Sequence, residues 1–355
     1  MQTAGRSTLQ AILTNQVERH RLKHLIYTPV KIFAMLLLLL SLRGVAYAAE
    51  VEIKEYAIPT KYSSPAGIAL DSKGNVWFTE QNSKKIGVFI PSSGSFKEYD
   101  VPYAGIPAGI AVAGDGMVWF ANSIGNSIVR FDPVKETFDG YALPLAGSNP
   151  TDLAIDNKGA IWFAERNANK IGRIDPKAGK IKEYSLITAS SQPSAIAIDK
   201  NGGIWVTEAT GNKLAFLDQA TGIIREYLIP TPFSSPSDIA VDDKGLVWFV
   251  ESLTGVIGMF DPKSKRFNEA LIPTRNSVAI NLAVDKQGKI WFTENRGNKI
   301  GVFDSIKATF EEYVVPTYRS LPLGIAAAED GKVYFTESHR DANKIGVLEG
   351  AATGK

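Results

Sequence analysis

Residues 65–99 read PAGIALDSKGNVWFTEQNSKKIGVFIPSSGSFKEY. Four short runs, Gly67–Asp71, Asn75–Glu80, Lys85–Ile90 and Ser95–Tyr99, are rich in β-branched and aromatic residues and are bounded by Gly, Pro, Asn or Ser. That composition suits a pleated, half-buried strand, and the short polar connections suit hairpins. The passage then recurs. Its aromatic pair returns as Trp119-Phe120, Trp162-Phe163, Trp205-Val206, Trp248-Phe249, Trp291-Phe292 and Tyr334-Phe335, at a spacing of 42 and then 43 residues five times. An alanine (Ala69, Ala111, Ala154, Ala197, Ala240, Ala283, Ala326) and a turn glycine (Gly74 through Gly331) keep the same beat.

Seven units of four antiparallel strands predict an all-β chain folded as a seven-bladed β-propeller. Glycine in D-x-x-G connections such as Asp156–Gly159 supplies the positive φ that closes the turn. The alanine falls in the first, innermost strand, where a small side chain lets seven sheets approach the axis. The Trp/Phe pair falls further out and is read as core between blades. Closure is also legible. A fourth-strand motif, Val51–Pro59, precedes any first strand, and the last unit stops after its third strand at Lys344–Glu349. The N-terminal strand is therefore expected to complete the last blade and cover two edges. Residues 49–355 then form a single propeller, expected to be a monomer.

Residues 1–48 differ from the rest. They carry six Lys/Arg against Glu18, and IFAMLLLLLSL at 32–42 leads to Ala46-Tyr47-Ala48. A basic region, a short apolar run and an A-x-A site are the parts of a secretory signal peptide, and eleven residues are too few to span a bilayer. An extracytoplasmic, secreted protein is expected; an uncleaved N-terminal membrane anchor is the alternative. The remainder has 33 basic and 36 acidic residues, a net charge of −3 without the footprint of a nucleic-acid binder. Cysteine is absent, which excludes disulfides, thiolate zinc sites and cysteine nucleophiles.

The unit P-x-x-I-A-V-D-x-x-G-x-V-W-F-T-E-x-x-x-N-K-I-G-x-x-D…EY-x-I-P, best seen in IWFAERNANKIGRI (161–174), IWFTENRGNKIGVF (290–303) and 235–249, resembles the virginiamycin B lyase (streptogramin lyase) family of seven-bladed propellers. The resemblance covers about 51–349. It implies a site on one face of the ring, where a magnesium ion and a histidine base open a cyclic antibiotic's ester by elimination. The family histidines follow the proline before an innermost strand. Matching positions here are Ala66, Ala108, Thr151, Ser194, Ser237, Ile280 and Leu323, none of them histidine. The acid before that proline is replaced by Ser64, Ile106, Asn149, Gln192, Ser235, Val278 and Leu321. Of the three histidines only His339 lies outside the leader, in a different loop.

Two sets of residues are candidates for chemistry. Glu80, Glu165, Glu208, Glu251, Glu294 and Glu337 recur three residues after the aromatic, with Asn122 in the second unit. Such regularity reads as scaffold, each glutamate satisfying local backbone or pairing with the N-K lysine beyond (Lys170, Lys213, Lys299, Lys344). Positions where the repeats disagree read as the site: Asp152, Asp238 and Asn281 at the channel mouth, beside Thr151, Ser194, Ser237 and Gln192. Asp152 and Asp238 are the candidate ligands for a metal, Mg²⁺ or Ca²⁺. Lying outside the consensus, they are expected to be removable without loss of the fold. The expected occupant of the channel face is a small molecule, glycan or protein. The expected function is a binding propeller; the alternative is an enzyme, either a carbon–oxygen lyase of the resembled type or a metal-assisted lactonase-like hydrolase.

Overall fold

A computed structural model describes residues 51–350. The leader and its cleavage site lie outside the described residues. Twenty-eight strands, β1 (Glu52–Ala57) to β28 (Lys344–Glu349), make seven four-stranded antiparallel sheets around an axis. Blade 1 is β2 (Pro65–Leu70), β3 (Val76–Glu80), β4 (Lys85–Ile90) and β5 (Ser95–Asp100), so the expected strands stand with shifts of one or two residues at their ends. Blade 7 is β26 (Pro322–Ala327), β27 (Val333–Glu337), β28 and, outermost, β1. The chain ends are thereby joined in one sheet, with Glu52 opposite Glu349 and Tyr56 opposite Ile345. Lys54 reaches Glu349 at 2.6 Å and Lys344 reaches Glu55 at 2.7 Å across the same junction.

The core is not one cluster but seven, each between neighbouring blades. Between blades 1 and 2, Trp77, Ile86 and Val88 pack on Ile110, Val118, Phe120 and Phe131. The closing interface sets Tyr334, Ile345 and Val347 against Ile58, Val76, Phe78 and Phe89. The aromatic pair of every second strand is buried, as its spacing predicts. The indole N–H groups are satisfied too. Trp77, Trp162, Trp205, Trp248 and Trp291 donate to Asp71, Asp156, Asp199, Asp242 and Asp285, each six residues earlier, at 2.9–3.3 Å. The same aspartates accept two backbone N–H bonds inside their D-x-x-G turn, as Asp71 does from Lys73 and Asn75.

The closest approach of blades lies two residues before the repeated alanine. A Cβ on Gly67 would stand 2.4 Å from the Ala108 carbonyl oxygen of the next blade. The alanine instead faces the tryptophan across the hairpin, Ala69 opposite Trp77. Smallness there makes room for the indole, which corrects the expectation that it serves approach at the axis.

First strands start on one face of the ring and run to the D-x-x-G turns on the other. The first face therefore carries the starts of the first strands, the turns between second and third strands, and the connections between blades. Deleting 51–59 removes a whole edge strand together with Ile58, which is buried in the closing interface. On the usual scale of roughly 25 cal/mol per Å² of apolar burial, the deletion is expected to destabilise the entire ring by several kcal/mol. Thermal melting checks this, and an unchanged midpoint would contradict the closure.

Candidate functional site at the channel mouth

At the first face the seven innermost strands open into a funnel of about 540 Å³. Six of the seven strands are turned into it by a left-handed corner just before the first residue. Ser64, Asn149, Gln192, Ser235, Val278 and Leu321 have φ between 51° and 54°, a conformation that costs a branched residue such as Val278 roughly 1–3 kcal/mol. The carbonyl of each corner accepts from the turn after the second strand, as Asn149 does from the Arg166 N–H and Gln192 from that of Ala209. The corner is thus pinned to its own blade.

Six of the seven candidate residues, Thr151, Asp152, Ser194, Ser237, Asp238 and Asn281, line the funnel. Gln192, at the corner before Pro193, does not line it, although Ser235 at the same corner of blade 5 does. The seven positions matching the family histidines all line it. His339 does not. Its Nδ1 accepts from the Asp341 N–H within the outer turn of blade 7.

The polar candidates are largely committed to holding blades together. In blades 1, 6 and 7 a second-strand threonine donates to the next blade's backbone: Thr79 to Ala108, Thr293 to Leu323 and Thr336 to Ala66, each at 2.9 Å. Blades 3 and 5 have Ala164 and Val250 at that position. There the hydroxyl has moved to the first strand, with Thr151 donating to Ser194 O and Ser237 to Ile280 O, both at 2.7 Å. An aspartate follows in both cases and adds a second staple. Asp152 Oδ2 accepts the Ile196 N–H at 3.1 Å, and Asp238 Oδ2 accepts the Leu282 N–H at 2.8 Å, each from the neighbouring blade. Asp238 also accepts from Asn281 Nδ2 and from its neighbour Ile239. Ser194 is left without a side-chain hydrogen bond among the described residues, as are two funnel residues that the reading from sequence missed, Gln81 and Arg166, each following the repeated glutamate. The side-chain carbonyl of Asn281 also stays free, while its Nδ2 is held by Asp238. Ser252, at the same turn position, lines the funnel as well but donates to Ser235 O. The signal for these turn residues was divergence at one beat of the repeat (Gln81, Ser123, Arg166, Ala209, Ser252, Asn295, Ser338).

Burial pushes the Asp152 carboxyl up to about 7, with the Asp238 charge adding to the effect, and pushes Asp238 up to about 6. A divalent cation needs several ionised or carbonyl oxygens on one centre. These two carboxyls are desolvated and engaged by backbone N–H groups. No cluster of three or more acids or histidines able to hold a metal exists among the described residues. The donor set does not fit Mg²⁺ or Ca²⁺.

The repeated glutamates are buried inside their own blades. Their expected lysines go elsewhere. Lys170, Lys213, Lys299 and Lys344 pair with the fourth-strand acids Glu183, Glu226, Glu312 and Glu55, whose side chains lie where an ammonium can stay half-solvated. The second-strand glutamate behind each pair is pushed up by burial first and by the neighbouring carboxylate next, Glu208 to about 8 and Glu294 to about 7.

The virginiamycin B lyase family profile matches residues 46–259. The structure of selenomethionine-substituted virginiamycin B lyase from Staphylococcus aureus is 32% identical over 84% of this chain and 99% of its own, with a TM-score of 0.78. A streptogramin B lyase structure is 31% identical over 84% of this chain and 97% of its own, with a TM-score of 0.79. A catalytically inactive histidine-to-alanine variant of the S. aureus virginiamycin B lyase, solved with quinupristin, is 33% identical over 84% and 99%, with a TM-score of 0.78. Kuenenia stuttgartiensis hydrazine synthase shares the fold at 14% identity and a TM-score of 0.69, over 82% of this chain and 96% of its own. A search of curated proteins returns no match.

Two outcomes follow for the carboxyls. Glutamates titrating at about 7 to 8 when folded, against 4.5 otherwise, retain protons that the unfolded chain has released. Their contribution is complete below about pH 4.5 and is lost as pH rises through 7 to 8. Glu226, lowered to about 2, contributes above pH 4.5 and fails only in strong acid. The melting temperature is expected to fall between pH 5 and pH 8, with a shallower slope in Glu208→Gln; a melting temperature that climbs over that interval contradicts the assignment. Asp238→Ala strands the Leu282 N–H and should cost about 1–3 kcal/mol, and Asp238→Asn less, since an amide oxygen still accepts. Melting of Asp238→Ala at the parent temperature would instead make this carboxylate a free ligand group.

Proposed function

The chain belongs to the virginiamycin B lyase family, and within it we propose that this protein is an extracytoplasmic ligand-binding propeller and not a lyase. One observation carries the proposal. All seven positions that match the family histidines ring the funnel, as Ala66, Ala108, Thr151, Ser194, Ser237, Ile280 and Leu323. None can take a proton near neutral pH, as base-driven elimination requires. Asp152 and Asp238 titrate near neutrality, but both face backbone N–H donors of the next blade.

What the funnel offers is hydrogen bonding: the Ser194 hydroxyl, the Asn281 carbonyl, Gln81 and the Arg166 guanidinium around a small, partly apolar floor. This suits a small polar molecule, a glycan or a protruding peptide. The inactive histidine variant solved with quinupristin is consistent with a ring of this family engaging a ligand without turning it over. Export is supported by the basic and apolar leader ending in Ala46-Tyr47-Ala48, and the amino-terminal sequence of the natural protein decides it.

Purified protein supplied with Mg²⁺ and a streptogramin B antibiotic is expected to leave the ester ring closed, followed chromatographically against an active family member. Robust ring opening that is lost in His339→Ala would overturn the proposal and install a displaced base.

A further inference from the structure

The connecting segments of the funnel face carry an uneven charge. Among the described residues, Asp341 is the one acid in the turns after the second strands and in the connections between blades. Four arginines crowd the same face in the sector of blades 6 and 7: Arg275, Arg296, Arg319 and Arg340, all exposed. Arg340 lies 3.3 Å from Asp341, whereas Arg275, Arg296 and Arg319 have no ion-pair partner among the described residues. The opposite face, built from D-x-x-G turns, alternates aspartate and lysine and gathers no comparable excess.

Beside the arginines lie apolar side chains that nothing covers. Phe233 is 86% exposed, Tyr318 78%, Leu253 73%, Leu271 69% and Val314 66%. They belong to consecutive blades. Phe233 leads into blade 5, Leu253 and Leu271 stand on its rim, Val314 ends the outer strand of blade 6, and Tyr318 leads into blade 7 beside Arg319. The residues matching Leu271 and Val314 in blades 7, 1, 2 and 3 are Ala57, Asp100, Ala142 and Ser185, whereas blade 4 carries Leu228, 66% exposed, so the apolar rim runs over blades 4 to 6. On the same face Tyr62, 55% exposed, lies beside Arg340, whose guanidinium stands 5.3 Å from its ring centre. Phe233 holds φ at 57°, the left-handed conformation that Tyr62, Ser190, Asn276 and Arg319 also adopt at this position of their connections, so the repeat's own backbone turns its side chain to the surface.

Cations interleaved with exposed aromatic and aliphatic side chains on one rim are complementary to a surface that is anionic at its head and apolar beneath. We propose that this arc is a docking surface for an anionic lipid bilayer. The arginines meet the headgroups, and Phe233, Tyr318 and Leu253 enter the interface. A soluble polyanion would use the arginines and leave the apolar side chains idle.

The test uses residues 50–355, in which every strand of the closed ring finds its partner. Sedimentation with phosphatidylcholine–phosphatidylglycerol vesicles is expected to carry the ring down, and phosphatidylcholine alone is expected to leave it in solution. The variant Arg275→Ala/Arg296→Ala/Arg319→Ala should bind the anionic vesicles about a hundredfold more weakly, on the scale of about 1 kcal/mol per cation. Phe233→Ala/Tyr318→Ala should weaken binding by roughly tenfold, through lost apolar insertion. Circular dichroism melts of both variants should match the parent, since none of these side chains is buried. Failure of the parent to sediment overturns the proposal, as does equal binding by the triple variant. Binding to soluble heparin that competes fully and ignores Phe233→Ala/Tyr318→Ala overturns it in favour of an acidic polymer.

Discussion

The hydrogen bond from a second-strand indole to the aspartate six residues before it joins two scales of this structure. The indole fills the wedge between twisted sheets, a space too large for any aliphatic side chain, and a buried indole N–H needs an acceptor. The aspartate supplies it while tying its own turn, so hairpin and interblade packing are fixed by one carboxylate. Five blades share this device. Blade 2 has Ala113 in place of the aspartate and blade 7 has Tyr334 in place of the tryptophan. The ring tolerates both because its other interfaces, and the closure by β1, hold the circle.

The inner ring imposes the second constraint. Where Gly67 meets Ala108 the backbones leave no room for a side chain, and most first-strand residues at the funnel are small. Hydroxyls and carboxylates placed there find the neighbouring blade's backbone before they find solvent. A hydroxyl can make the link from a second-strand threonine or, in blades 3 and 5, from Thr151 or Ser237 of the first strand with an aspartate behind it. The funnel is thus polar by composition but poor in free polar groups, which favours recognition by a few contacts over chemistry needing a base and a bound cation.

Much of the fold was legible because its causes are periodic or local. The aromatic beat, the turn glycines and the orphan strand at Val51–Pro59 each state a rule that the coordinates repeat. The site was harder to read for a physical reason. Departure from the repeat correctly marked Asp152 and Asp238 as special and placed them at the mouth. Their acceptor role depends on N–H groups 44 residues away, at Ile196 and Leu282, and no spacing rule in one blade announces that. Gln192 sits at the corner before the proline and does not line the funnel, whereas Ser235 at the same corner of blade 5 does, a difference that the letters do not announce. The lysines of the N-K motif stand beside two carboxylates, one on each neighbouring strand, and choose the more solvated of the two. Arg166 had a signal, divergence at the beat after the glutamate, that was as clear as the one at Asp152.

Hydrogen exchange at the six indole N–H groups tests most directly the claim that the conspicuous repeat residues are scaffold joining turn to interface. Trp77, Trp162, Trp205, Trp248 and Trp291, each bonded to an aspartate, should exchange only through global unfolding of the ring. Trp119, which faces Ala113 in place of that acceptor, should exchange measurably faster although it is equally buried. Uniform exchange of all six, or fast exchange of the aspartate-bonded five, would contradict the account.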